Sequence, residues 1–141
     1  MNRTIVVGVD HSGPSQGALD WAVRRADRLR LDVALVHVVN DYWVRQEYDY
    51  YERIMNSATE LLEKTEARAR AISPSVKIRA ELHHGSVTGT LSERSKDAVL
   101  VVVGTDKRGR IEGELFGSVS LQIAALSHAP VAVIPLVPEA G

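Results

Sequence analysis

The sequence predicts an open, parallel, five-stranded α/β sheet with helices on both faces. Two observations carry this prediction. Apolar runs rich in β-branched residues alternate along the chain with segments whose apolar residues recur at helical spacing. The resulting order, β-α-β-α-β-α-β-α-β, contains no linker and no internal repeat, and such alternation requires right-handed crossovers between parallel strands. We expect the strand order 3-2-1-4-5 and one domain over residues 1–141.

The first strand and the first helix are predicted from adjoining segments. Residues 5–9 are an apolar run that ends at Asp10. Residues 12–15, Ser-Gly-Pro-Ser, are typical of a helix start, because proline is accepted in the first turn. Apolar residues then recur at helical spacing, namely Ala18, Trp21, Ala22, Ala26 and Leu29.

The middle of the chain supplies two strands and two helices. Residues 33–39 are an apolar strand, and a helical stripe follows from residue 51 to residue 72. Residues 76–83 alternate in polarity, which predicts a strand with one wetter face near an edge of the sheet. Residues 85–96 are a short helix with its entrance loop.

The last third of the chain contains the two remaining strands and the fourth helix. Residues 98–103 form an apolar strand that stops at Gly104. Residues 118–127 have helical periodicity, and residues 130–135 are the fifth strand.

Composition excludes several functional classes. The chain has 17 basic and 18 acidic residues, so no basic excess is available to neutralise a nucleic acid or a membrane surface. It has no cysteine, which excludes disulfides, thiol nucleophiles and thiolate metal ligands. No apolar run approaches the ~20 residues of a membrane span, and no secretory signal precedes the first strand. We expect a cytoplasmic protein, by elimination.

The ligand site is expected where the strand order reverses, between the first and fourth strands. Asp10 follows the first strand, and Gly104-Thr105 follows the fourth. Farther on, Gly117-Ser118 opens a helix, where glycine permits close approach of a ligand and the serine hydroxyl and free amide groups can hold an anion. The pattern therefore indicates a phosphate site.

Other chemistries are not supported. The sequence has no P-loop and no G-x-G-x-x-G after the first strand, and we predict no catalytic residue. A response-regulator site would need an aspartate after the third strand, where this chain has His83-His84-Gly85. Neighbouring strand residues face opposite ways, so His83 and His84 are poorly placed to share a metal, and no protein metal site is predicted.

The chain resembles the universal stress protein family over nearly its full length. The resemblance is carried by Val7-Gly8-Val9-Asp10-His11-Ser12, Leu35-Val36-His37-Val38, Gly117-Ser118-Val119-Ser120 and Ala129-Pro130-Val131-Ala132-Val133. Members that bind ATP carry G-x-x-G, nine residues, then G-[ST]. Gly104, Gly117 and Ser118 match that motif, whereas Lys107 replaces its middle glycine and Gly109 lies two residues on.

The resemblance implies an adenine-nucleotide site, with ATP as the ligand and Mg as its companion. It places Asp10 near the ribose and the backbone of Val38 at the adenine edge. The alternatives without a ligand are that Asp10 caps a helix with Ser12 and that Val38 is an ordinary core valine. The implied nucleotide-binding residues are Val9, Asp10, His11, Ser12, Val38, Gly104, Thr105, Lys107, Gly109, Gly117, Ser118, Val119 and Ser120.

The replacement of the motif glycine by Lys107 is compatible with either retained or weakened nucleotide binding. Its ammonium could contact a phosphate, or its side chain and restricted backbone could weaken the site. We therefore keep three hypotheses: a regulatory protein that binds an adenine nucleotide, a nucleotide-free dimeric scaffold, and a slow ATPase. A catalytic ATPase would need a positioned base and an electrophilic clamp, and the sequence shows neither clearly, so we expect slow ATP hydrolysis at most.

Two surfaces are expected to contact partners. The last strand, Pro130 to Pro135, is apolar and lies at an edge, and the resemblance implies a homodimer through antiparallel pairing of this strand. Five of the chain's seven aromatic residues lie between Tyr42 and Tyr51. They are interpreted as packing on their own helix, with a lid or a partner patch as alternatives.

Overall fold

The computed structural model describes residues 2–40, 48–105 and 118–135, with residues 48 and 118 described for their backbone only. The strands in these ranges are β1 (Thr4–Gly8), β2 (Asp32–Val39), β3 (Ile78–His84), β4 (Leu100–Thr105) and β5 (Val131–Pro135). The helices are α1 (Gly13–Leu29), α2 (Tyr48–Ile72), α3 (Val87–Arg94) and α4 (Ser118–Leu126), and a 3-10 turn, Ser95–Asp97, follows α3.

The five strands form one sheet in the order β3-β2-β1-β4-β5, and every neighbouring pair is parallel. This confirms the predicted order and places β3 at an edge, as its alternating polarity indicated. The order reverses between β1 and β4. The helices that follow these two strands along the chain, α1 and α4, pack on opposite faces of the sheet, and such a reversal forms a crevice beyond the carboxyl ends of the strands.

Two apolar layers cover the faces of the sheet. Ile5 and Val7 of β1 pack in a fully buried cluster with residues of α1 and α2, such as Leu19. Val6, which points the other way, packs with Leu91 of α3 and with α4. The alternation of side chains along β1 therefore explains why helices are needed on both faces.

One local expectation is wrong. The fourth strand does not stop at Val103, because Gly104 and Thr105 remain in register with residues of β5. Leu29 ends the predicted helical stripe and is the last residue of α1, where it is 56% exposed.

The edge strand β3 carries a charged row on its α3 side. Glu81 accepts two hydrogen bonds of 2.9 Å from the guanidinium of Arg94 on α3. It also accepts one of 2.9 Å from His83 and one of 3.1 Å from Arg79. Burial raises the pKa of Glu81, but these three partners outweigh burial and lower its pKa to about 2.

Candidate functional site

A cleft of about 240 Å³ lies beyond the carboxyl ends of β1 and β4. Its lining comes from five separate segments of the chain: the β1–α1 turn, the end of β2, α3, the end of β4 and α4. The lining residues are Gly8, Val9, Asp10, Ser12, Ser15, Val36, His37, Val38, Val87, Leu91, Val103, Gly104, Val119, Ser120 and Ile123.

Glycines bring the walls of this cleft together. A Cβ atom on Gly8 would lie 3.1 Å from Leu91 Cδ1 and 3.4 Å from Val103 Cγ1. A Cβ atom on Gly104 would lie 2.3 Å from the carbonyl oxygen of Pro14, in the first turn of α1. The absence of a side chain at Gly104 is thus required by contact with α1, independently of any ligand.

Asp10 is held in one orientation at the start of the turn into α1. Its Oδ1 accepts a hydrogen bond of 2.8 Å from the backbone amide of Ser12 and another from the Ser12 hydroxyl. Its own backbone amide donates to Ser15 Oγ over 3.0 Å. Asp10 and Ser12 are thus joined in the turn before α1, but the side chain of Ser12, the N-cap residue, does not cap the helix. Among the described residues only Oδ1 of the Asp10 carboxylate accepts a hydrogen bond.

The cleft is mostly apolar and carries one carboxylate. Val87 and Val119 stand at its rim with 43% and 48% of their surfaces exposed. Among the described lining residues Asp10 is the sole acidic side chain, and none is lysine or arginine. An apolar cleft with a few fixed polar groups is the usual form of a small-molecule site.

Most of the predicted site residues that the structure describes line this cleft: Val9, Asp10, Ser12, Val38, Gly104, Val119 and Ser120. His11 instead lines a neighbouring groove of about 360 Å³ between α1 and α2, which shares Asp10 and Ser15 with the cleft. Thr105 is buried at the end of β4 and lines neither.

The remaining predicted site residues cannot be placed relative to the cleft. Lys107, Gly109 and Gly117 lie outside the described residues, and only the backbone of Ser118 is described, as the first residue of α4.

The aromatic segment is described only in part. Tyr42 and Trp43 lie outside the described residues. Tyr50 is 46% exposed on α2, with the guanidinium of Arg53 at 5.9 Å from its ring.

Sequence reasoning missed the polar residues Ser15 and His37. Both are buried, at 5% and 8% exposure, and both line the cleft. His37 Nδ1 lies 2.7 Å from the carbonyl oxygen of Val9, and its ring meets His11 edge-on at 5.9 Å. The available signal was a histidine inside an otherwise apolar strand, since a buried polar side chain needs a partner.

The fold and the cleft together define a class: a doubly wound α/β protein with a small cleft at its switch point. A profile of the universal stress protein family matches residues 1–135. The chain therefore belongs to the universal stress protein family.

Individual relatives agree with this assignment. The universal stress protein Rv2623 of Mycobacterium tuberculosis is 34% identical over 142 residues, which is 92% of this chain and 46% of the relative. This chain thus spans about half the length of the curated relatives it matches.

Solved structures share the fold. A universal stress protein in complex with cAMP is 25% identical, with a TM-score of 0.72, over 96% of this chain and 98% of the other. A universal stress protein from Archaeoglobus fulgidus in complex with dAMP is 22% identical, with a TM-score of 0.71, over 93% and 96% of the two chains.

No described helix combines the length and apolar character that crossing a membrane requires. No group of three or more histidine, aspartate or glutamate side chains within residues 2–40, 48–105 and 118–135 is arranged to hold a metal ion.

Proposed function

We propose that the cleft binds an adenine nucleotide and that the chain acts as a nucleotide-responsive regulatory protein. The observation that carries this proposal is the convergence of five separate segments on one apolar cleft at the switch point of the sheet. The solved family member that holds cAMP, 25% identical over nearly the whole chain, supports the same ligand class.

Asp10 fits the ribose of such a ligand. Among the described residues, Ser12 holds the carboxylate through Oδ1, and no described residue donates to Oδ2. The second oxygen can then accept hydrogen bonds from the vicinal hydroxyl groups of a ribose without losing the turn that presents it.

The backbone of Val38 fits the edge of an adenine base. In a parallel strand, alternate residues direct both backbone groups to the same neighbour. The Val36 carbonyl accepts from the Val9 amide over 2.8 Å, so Val36 and Val38 face β1. Because β1 has ended at this level, the amide and carbonyl of Val38 face the cleft and offer one donor and one acceptor.

The phosphates would lie toward the start of α4. That helix begins at Ser118, and Ser120 in its first turn lines the cleft. A helix N-terminus presents free amides to an anion. The described lining supplies no basic side chain, so in this proposal the α4 amides meet the charge of ATP, with Mg as a companion ion.

We also propose a homodimer through β5. This strand is the last of the described sheet, at the edge opposite β3, and its apolar residues from Val131 to Ile134 are half-buried. An apolar edge of this kind favours pairing with another strand. A second copy of the chain would supply one by antiparallel pairing.

Calorimetric titration with AMP, ATP and adenine tests the nucleotide proposal. Asp10→Asn keeps an oxygen for Ser12 but replaces the free acceptor with a donor. We expect AMP to bind about tenfold more weakly to this variant, with adenine unaffected. Asp97→Asn is the matched control, because Asp97 has a 79% exposed side chain outside the cleft. Absence of binding of any adenine nucleotide to the unaltered protein would refute the proposal.

A further inference from the structure

The ladder between β1 and β2 ends in an unusual way, at a side chain. Val9, one residue beyond β1, still donates its amide to the Val36 carbonyl over 2.8 Å. In a regular parallel ladder the Val9 carbonyl would next accept from the amide of Val38. That backbone bond is not formed between these two described residues, and the carbonyl accepts from His37 Nδ1 over 2.7 Å instead.

The hydrogen on His37 is assigned by this partner. A carbonyl oxygen can only accept, so Nδ1 carries the hydrogen. The ring is buried, and burying a polar group is costly unless it is bonded. We therefore expect His37 to keep its hydrogen bond to the Val9 carbonyl.

The same peptide unit is held at its other end. The carbonyl of Val9 and the amide of Asp10 belong to one planar group. His37 holds the carbonyl, and the buried Ser15 hydroxyl accepts from the amide over 3.0 Å. Two buried side chains from different elements thus fix the plane from which the Asp10 side chain projects.

We propose that His37 is a positioning residue of the cleft. By capturing the Val9 carbonyl it ends the ladder, leaves the Val38 amide free to face the ligand, and, with Ser15, sets the direction of the Asp10 carboxylate. This inference rests on the proposed function for its ligand, but its structural content is testable without one.

Amide hydrogen exchange gives that ligand-independent test. In His37→Leu the Val9 carbonyl loses its donor and turns back to Val38. The Val38 amide should then exchange about tenfold more slowly, while the Asp10 amide exchanges about tenfold faster. General loosening of the fold would speed exchange at both positions, so these opposite changes distinguish positioning from simple packing.

Two further variants complete the set. His37→Asn places an amide donor near the position of Nδ1 and should restore wild-type exchange at both positions. His128→Leu is the matched control, because His128 is an exposed histidine outside the cleft. If His37→Leu does not fold, His37→Gln replaces it, since its amide lies one methylene farther out and should miss the Val9 carbonyl.

Ligand affinity supplies the second readout. We expect His37→Leu to weaken AMP about tenfold and to leave 2′,3′-dideoxy-AMP nearly unchanged, because the latter lacks the hydroxyls that Asp10 would bind. If the unaltered protein binds no nucleotide, the proposed function fails and hydrogen exchange alone decides the inference. Unchanged exchange at Asp10 and Val38 in His37→Leu, or an Asn variant as impaired as the Leu variant, would overturn it.

Discussion

Replacing Gly104 with alanine tests whether this glycine serves packing or a ligand. The new Cβ would lie 2.3 Å from the Pro14 carbonyl oxygen, 2.5 Å from its carbonyl carbon and 3.0 Å from its Cβ. Two of these atoms are backbone at the start of α1. The strain therefore cannot be relieved by rotating a side chain, and α1 and β4 must separate by about 1 Å at their point of contact.

The expected cost is about 2–3 kcal/mol of the free energy of unfolding, in the range of overpacked cores. For a chain of this size such a loss lowers Tm by roughly 5–10 °C. Urea denaturation followed by circular dichroism measures it directly, and an unchanged m-value would show that the native state remains compact.

Gly17→Ala is the matched control on the same helix. No atom lies within 4 Å of the position of its Cβ, and Gly17 is exposed within α1. Alanine there should stabilise the protein by about 0.5–1 kcal/mol through helix propensity. The two glycine-to-alanine changes should therefore have opposite signs.

A Gly104→Ala variant within 0.5 kcal/mol of wild type would refute this packing argument. If that stable variant also lost nucleotide affinity, Gly104 would be a ligand-approach glycine, as the motif alone suggests. Loss of stability in the absence of any nucleotide would instead show that the first glycine of the motif is needed by the fold.

Three other perturbations have defined outcomes. The pKa of Glu81 is about 2 in the folded protein, against an ordinary 4.5. As the pH falls, the Glu81 carboxylate is therefore protonated in the unfolded state before it is protonated in the folded state. Stability should therefore be full above pH 4.5 and fall toward pH 2, by about 1–2 kcal/mol after allowance for solvent screening, and Glu81→Gln should flatten this part of an acid-denaturation curve. Lys107→Gly, which restores the motif glycine, should tighten ATP binding in calorimetry, whereas a selective loss of ATP affinity would mean that the lysine contacts phosphate. Val133→Lys on the β5 edge should convert a dimer to a monomer in sedimentation equilibrium, and an unchanged mass would exclude pairing through that edge.

Local patterns were enough to predict the alternation of strands and helices, because each apolar run and each helical stripe is a property of adjacent residues. The strand order came from the common topology of five-stranded sheets of this kind, which the structure confirms. The end of β4 was not predictable in the same way. Gly104 looks like a strand terminator, yet its pairing with β5 and its contact with Pro14 depend on residues distant in sequence. The same residue type is required here by close packing rather than by a turn.

The candidate site, like the fold, was predictable only in part. Asp10 and Val38 follow from strand ends and from the family resemblance. The role of His37 depends on the direction of one carbonyl group at Val9, which no spacing in the sequence encodes. A histidine in a buried strand is equally compatible with an ordinary core position.

The two edge strands of the described sheet, β3 and β5, differ in a way that limits the association of further copies. Unlimited edge-to-edge association of sheets would require both edge strands to pair readily with another strand. The β3 edge carries the Glu81–Arg94 cluster, whose ions would lose hydration against a neighbouring strand, whereas β5 is apolar. In a dimer formed through β5, each copy would use the edge that favours pairing. Association would therefore stop at two chains instead of extending into a fibre.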